Sequence, residues 1–284
     1  MTIALGFQVG DGMLLAADRQ VTNGDQKCGA GKIALWLDPD PSSDGMNRGR
    51  LAITGAGDVH YLSAISVLLR EPFTRSSPLT MDELESEFEQ ILVDFHQKHV
   101  IPFGTFREED RPSFELIIAA QRSEEKRMWV TQLSSIVPVW KPVAVGCGSV
   151  VADELFQNGY FPQSADIIAA QIMAAYVIFR AKQTVAGCGH DTDFEIISTS
   201  EYGGHLDHCG VRELEDIFRR YARLEAKWFH QLFGGRPTTP EEVKTDEIRE
   251  DVGYLVTEYT EAGFSRELLE AQRRSKRGPQ SPPP

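Results

Sequence analysis

The chain is short of positive charge. Its 29 lysines and arginines face 42 aspartates and glutamates, a formal net charge of −13 at pH 7. A nucleic-acid surface needs a basic, aromatic-interleaved patch, and no stretch offers one. Cysteine is scarce too. The four, Cys28, Cys147, Cys188 and Cys209, are scattered, so free thiols in a reducing cytoplasm are expected. Long apolar runs are also missing. The N-terminus has neither a charged leader nor a long apolar core, so it does not read as a signal peptide. The most apolar segment, SADIIAAQIMAAYVIF, is interrupted by Asp166 and Gln171 and falls short of the ~20 residues that span a bilayer. With 41% hydrophobic and 25% charged residues, the composition is that of a soluble globular protein, long enough at 284 residues for a large core.

What the chain does have is a clear order of elements. Residues 2–9 and 12–17 predict a hairpin turning at Asp11-Gly12, because Asp-Gly between apolar runs is a strong hairpin signal. A glycine-rich turn then crosses to a strand at KIALWL, and RLAITGAG returns as another. Val59, Leu62, Ile65 and Leu69 fall at helical spacing. Thr80 with Glu83 three residues on marks a capping box at the head of a second helix, which runs to about Val100. FELIIAAQ, RMWVTQLS and VPVWKPVAVG read as strands, followed by a short helix after GCGS. A longer helix capped by Ser164 ends near Gly187, and TDFEIIST is a last strand. Strands, two helices, strands, two helices and a strand predict an α+β fold. The expected form is a four-layer αββα sandwich, two antiparallel sheets between helix layers.

Beyond residue 205 the pattern turns helical. VRELEDIFRRYARLEAKWFHQLF is strongly amphipathic, a second helix is expected from Pro240, and a third from Ser265 to Lys276. The expected organisation is one domain over 1–205, a helical extension over 206–276 serving packing or subunit contacts, and a disordered Pro-rich tail over 277–284.

The chemistry concentrates at the start. Thr2 follows the initiator methionine, and removal of Met1 would leave Thr2 with a hydroxyl and a free α-amine, a nucleophile carrying its own base. Thr2, LLAADRQVT, a Gly-rich turn and Lys32-Ile33 together resemble the proteasome β-type subunits, a family of N-terminal-nucleophile hydrolases that includes bacterial proteasome-like proteins. The spacing from Thr2 to Asp18 matches that family, and Lys32 follows after a turn two residues shorter than usual. The resemblance implies a threonine-type peptidase with Thr2, Asp18 and Lys32 as its catalytic group. Lys32 would lower the pKa of the Thr2 amine, and Asp18 would orient Lys32. It also implies an oxyanion and substrate-binding segment around Thr54 and Gly55. Substrate would lie as an added strand beside Thr22, and Val21, Ala52 and Ala56 would shape a pocket. Its implied partners are peptide or unfolded-protein substrates, further copies in a ring or stacked ring, and an ATP-dependent unfoldase. No cofactor, metal, nucleic acid or membrane partner is implied, although a cation site on the main-chain oxygens of Arg180, Gln183 and Ala186 occurs in the family.

Three supporting positions depart from the family pattern. Cys147 stands where the family has a serine near the nucleophile's amine. Gln183 and Ala186 replace an aspartate and a serine at the end of the long helix. Gln183 can still accept a hydrogen bond but carries no charge. Three readings therefore stay open: an active threonine peptidase, a weakened or inactive subunit serving assembly or binding, and an amidase of the same class acting on small amides. The polar clusters Cys188-Gly-His190-Asp191 and His205-Leu-Asp-His208-Cys209 lack regular zinc-ligand spacing and read as loops.

Overall fold

The computed structural model describes residues 2–23, 26–39, 47–75, 78–103, 113–157, 165–198 and 208–233. The chain divides into two compact units, Met1–His208 and Cys209–Pro284. Among the described residues there are three antiparallel sheets and five α-helices.

In the first unit, β1 (Ile3–Val9) and β2 (Gly12–Asp18) form the expected opening hairpin, with Ala4 opposite Ala17. β2 is flanked on its other side by β11 (Thr192–Ser198), and β1 by β10 (Val143–Gly146), giving the sheet order β10-β1-β2-β11. A second sheet runs β5 (Ala34–Pro39), β6 (Asn47–Gly57), β7 (Phe114–Arg122), β8 (Glu125–Gln132), β9 (Ser135–Pro138). Ala4, Met13, Leu15, Ala17 and Ile197 of the first sheet share one core cluster with Ala52, Ile117, Ala119 and Met128 of the second. Many of these residues are small, so the sheets approach closely. A Cβ on Gly6 would come within 2.7 Å of the Met128 sulfur.

The outer face of the five-stranded sheet is covered by α1 (Val59–Phe73) and α2 (Met81–His99). Ile65, Leu69 and Phe73 from α1 and Leu84, Phe88 and Leu92 from α2 pack on Leu51, Ile53, Leu116, Ile118 and Trp129. The Trp129 indole donates to Glu85 at 2.8 Å, which satisfies its polar edge as the ring is buried. The capping box at Thr80 forms as read: Glu83 N–H donates to the Thr80 hydroxyl at 3.3 Å, and Thr80 N–H donates to the Glu83 carboxylate at 2.8 Å. α4 (Ile167–Thr184) packs on β1 and β2 of the other sheet, and α3 (Ser149–Gln157) on β10. This second covering explains β2. It is buried at every position, so up to Asp18 its sequence is an apolar run, Met13 to Ala17, rather than an alternation.

Three expectations are corrected. The Gly-rich crossing is itself a hairpin, β3 (Gln20–Asn23) with β4 (Gln26–Gly29), forming its own two-stranded sheet. VPVWKPVAVG is not one strand. β9 and β10 lie in different sheets, and the chain crosses at Trp140-Lys141-Pro142, where proline has no N–H to continue a ladder. The cap of α4 is Asp166, whose carboxylate accepts from Ala169 N–H at 2.9 Å, in place of Ser164.

In the second unit, α5 (His208–Phe233) is the amphipathic helix expected there, with Val211, Leu214 and Ile217 buried. The further helices expected from Pro240 and Ser265, and the tail over 277–284, lie outside the described residues. No described helix is long and apolar enough to cross a membrane.

Packing on the five-stranded sheet sets a stability test. Leu69 is fully buried between α1 and that sheet, whereas Val67 is 57% exposed two residues away. Leu69→Ala is expected to cost about 2–5 kcal/mol in urea unfolding. Val67→Ala should stay within about 0.5 kcal/mol.

Candidate functional site

The site assembles at the point where β1, β2 and the loop before β11 meet. Thr2 stands at the head of β1 and is 4% exposed. Asp18 ends β2, antiparallel to β1, so the pairing of Ala4 with Ala17 carries Asp18 alongside the start of the chain. Lys32 lies between β4 and β5. Its segment is drawn in by Ala30 N–H, which donates to the Arg19 carbonyl at 2.8 Å.

These three side chains meet. The Thr2 hydroxyl donates to Asp18 Oδ1 and accepts from Lys32 Nζ. Lys32 Nζ also donates to Asp18 Oδ1 at 2.8 Å, an ion pair with 9% exposure on the lysine side chain and none on the aspartate. Asp18 is held from the main chain as well. Ile3 N–H donates to Oδ1 at 3.0 Å, and Gly189 N–H and Gln20 N–H donate to Oδ2 at 2.9 and 3.3 Å. This many donors fix the buried carboxylate in place. Burial pushes the Lys32 ammonium below its usual range, and the Asp18 carboxylate beside it opposes that shift in part.

Gln20 and the loop after α4 brace the cluster, a role that the sequence did not reveal for either. Gln20 Nε2 and Lys27 Nζ donate to the Ala186 carbonyl at 3.2 and 3.1 Å, and Arg19 N–H donates to the Asp191 carbonyl at 2.9 Å. The signal available for them was the glycine-rich VAGCGH, a loop that can bring backbone close to Asp18. The Ala186 carbonyl is thus engaged by an ammonium, and the Arg180 carbonyl accepts from the Thr184 hydroxyl at 3.0 Å. Two of the three carbonyl oxygens of the family's cation site, those of Arg180 and Ala186, thus already accept hydrogen bonds. Gln183 is exposed on α4, outside the Thr2 cluster.

Cys147 does meet Thr2. Its thiol donates to the Thr2 carbonyl at 3.3 Å, and Gly148 N–H reaches the same oxygen at 3.4 Å. The turn is able to come this close because Ile3 pairs with Gly146, where φ is +92° and a side chain would strike the Thr2 carbonyl.

A cleft of about 610 Å³ opens in front of Thr2 and Lys32. Val21, Thr54 and Gly55 line it as expected, together with Ile33, Trp36 and the start of α1 at Asp58 to Leu62. The Thr54 hydroxyl is buried without a hydrogen-bond partner among the described residues. Ala52 and Ala56 do not line the cleft. They point into the core between the sheets, because alternation along β6 turns them away from α1. Thr22 pairs with Lys27 in the β3–β4 hairpin, and its side chain lies outside the described residues. Of the two polar sequence clusters, His205 to Asp207 lies outside them too.

Burial of Lys32 gives a pH dependence with a definite sign. Its native pKa lies below the unfolded 10.5, so between the two the unfolded chain binds more protons. Wild-type stability should therefore rise relative to Lys32→Met as pH climbs toward 10.5, by at most about 1.4 kcal/mol per pH unit. Urea unfolding across that alkaline range reads it, and a falling difference would mean that the Asp18 attraction outweighs burial.

No family model matches the chain, and no curated protein matches it in sequence. Solved structures do match in fold. Anbu (ancestral beta-subunit) from Yersinia bercovieri aligns with a TM-score of 0.61 at 12% identity, over 84% of this chain and 98% of that one. Anbu from Hyphomicrobium sp. strain MC1 gives 0.60 at 13% identity, over 84% and 99%. The Anbu complex from Pseudomonas aeruginosa, solved as a helical assembly, gives 0.58 at 12%, over 85% and 100%. The expected membership of the proteasome β-type subunits is corrected accordingly: no family model carries it, and the similar structures are Anbu proteins, related to this chain in fold at low identity.

Proposed function

We propose that the protein is a threonine-type peptidase whose nucleophile is the Thr2 hydroxyl. One observation carries the reading: Thr2, at the second position of the chain, shares its hydroxyl hydrogen bonds with both Asp18 and Lys32 beside an open cleft. Removal of Met1 frees the Thr2 α-amine as the base, with a reference pKa of about 7.7–8.0. The adjacent Lys32 charge disfavours protonation of that amine and offsets negative charge developing on Oγ1. Asp18 keeps Lys32 in place. The amine takes the hydroxyl proton as Oγ1 attacks the amide carbonyl, and returns it to the leaving nitrogen. The carbonyl oxygen is received near Thr54 and Gly55, and a peptide lies along the cleft as an added strand beside β3.

Two sheets sharing one core, each covered on its outer face by helices, support the four-layer αββα reading of the first unit. The fold likeness to Anbu proteins, one of them solved as a helical assembly, supports self-association. An ATP-dependent unfoldase is the partner such an assembly would take. The thiols of Cys28, Cys147 and Cys188 are free, which suits the cytoplasm. The exposed Gln183, away from the cluster, favours the rival reading of a non-catalytic protein of this fold.

Intact mass and peptide turnover separate the two. The peptidase reading expects the mature chain to lack Met1 and Thr2→Ala to lose turnover by about 10³-fold or more. Met1 retained on an active protein, or turnover surviving Thr2→Ala, contradicts it. A folded, processed protein with no turnover establishes the rival.

A further inference from the structure

Behind Thr2 lies a pair of thiols for which the peptidase chemistry has no use as a pair. Cys147 Sγ and Cys188 Sγ are 3.9 Å apart, although the residues are 41 positions apart in the chain. Cys188 is 5% exposed, and Cys147 is partly accessible. We propose that Cys147 and Cys188 form a peroxide-sensitive dithiol that closes to a disulfide and disables the Thr2 site. The dithiol stands on its own geometry; its effect on activity rests on Thr2 being the nucleophile.

Position explains the coupling. The Cys147 thiol donates to the Thr2 carbonyl, and the next amide, Gly148 N–H, approaches the same oxygen. Cys188 immediately precedes Gly189, whose N–H holds Asp18 Oδ2 at 2.9 Å. A disulfide needs its sulfurs at about 2.05 Å, so the two segments must close on each other. The turn has little slack: a Cβ on Gly148 would come within 2.6 Å of Ile3 and 3.1 Å of the Cys188 sulfur. Closure therefore removes the Cys147 S–H donor from the Thr2 carbonyl and pulls on the amide that fixes Asp18.

The roles of the two thiols follow from their surroundings. Burial, with the Asp18 carboxylate adding to it, pushes the Cys188 thiol far above its usual range, which suits it to resolve rather than to attack first. Lys32 is near enough to Cys188 to oppose that rise in part. The Cys147 thiolate attacks the O–O bond of a hydroperoxide, giving Cys147 sulfenic acid and releasing an alcohol, or water from hydrogen peroxide. The Cys188 sulfur then displaces hydroxide from that sulfenic sulfur. The S–S bond forms, and the hydroxide leaves as water with the Cys188 proton. Two thiols lose two electrons and the peroxide gains them.

The test is a hydrogen peroxide titration of the full chain. It is followed by non-reducing digestion with mass mapping, and by labelling with an electrophile that traps N-terminal threonine. The expected result is one Cys147–Cys188 link and Thr2 labelling slower by at least about tenfold, since ångström-scale misplacement costs that order of rate. Dithiothreitol should restore labelling. Cys188→Ala, compared with itself before and after peroxide, should form no link and keep its labelling rate within about twofold. Oxygen addition to single thiols without that link, or a link through Cys28 or Cys209, overturns the dithiol. A link with unchanged labelling overturns the switch. A link in a protein whose reduced Thr2 never labels keeps the dithiol but removes both the peptidase reading and the switch that rests on it.

Discussion

The buried carboxylate of Asp18 is the constraint on which the site depends. It sits fully enclosed at the end of β2, where a polar group needs partners, and five donors converge on it: the Thr2 hydroxyl, the amides of Ile3, Gln20 and Gly189, and the Lys32 ammonium. The donors come from four parts of the chain. One carboxylate thus ties the head of β1, the start of the β3–β4 hairpin, the segment before β5 and the loop before β11. An ion pair of this kind is weak evidence of stabilisation, because desolvation offsets much of the attraction. Its effect here is geometric. It leaves the Thr2 hydroxyl a donor site on one side and an acceptor site on the other, and both are occupied by charged groups.

On the proposed peptidase reading, the chemistry follows from that arrangement in short steps. A hydroxyl shared between a carboxylate and a buried ammonium is oriented before any substrate arrives. The ammonium is already destabilised by burial, so it repels a second proton from a neighbouring amine and gains most when the oxygen becomes negative. The cleft beside Thr2 is lined by Thr54 and Gly55 of β6 and by the start of α1. The same crowding brings the Cys147 thiol against the Thr2 carbonyl and Cys188 against Cys147.

The sequence made some of this legible and hid the rest for physical reasons. The opening hairpin, the capping box at Thr80 and the helical faces of α1 and α2 are written in local patterns, and they form as read. Thr2, Asp18 and Lys32 are grouped in the sequence only through the resemblance to the proteasome β-type subunits, and the fold brings their side chains together. The β3–β4 hairpin was read as a turn, since its strands are brief, polar and backed by no apolar face. The strand read across Trp140 to Pro142 is apolar except for Lys141, so only that charge and the missing proline N–H mark the crossing between sheets. Ala52 and Ala56 were assigned to the substrate pocket, yet β6 alternates them into the inter-sheet core. Gly189 and Gln20 act through backbone amides, and a backbone donor leaves almost no trace in residue identity. The approach of Cys188 to Cys147 is a long-range contact that no spacing rule encodes.

The central claim is that Lys32, fixed by Asp18, activates the Thr2 hydroxyl. The most direct measurement is the second-order rate of covalent labelling of Thr2 by a threonine-trapping electrophile, compared between wild type and Lys32→Met. Native circular dichroism of both proteins would establish that each is folded. Loss of an electrostatic stabiliser at the reacting oxygen predicts a fall of about 10²-fold or more in Lys32→Met. Equal labelling rates in the two folded proteins would contradict the account.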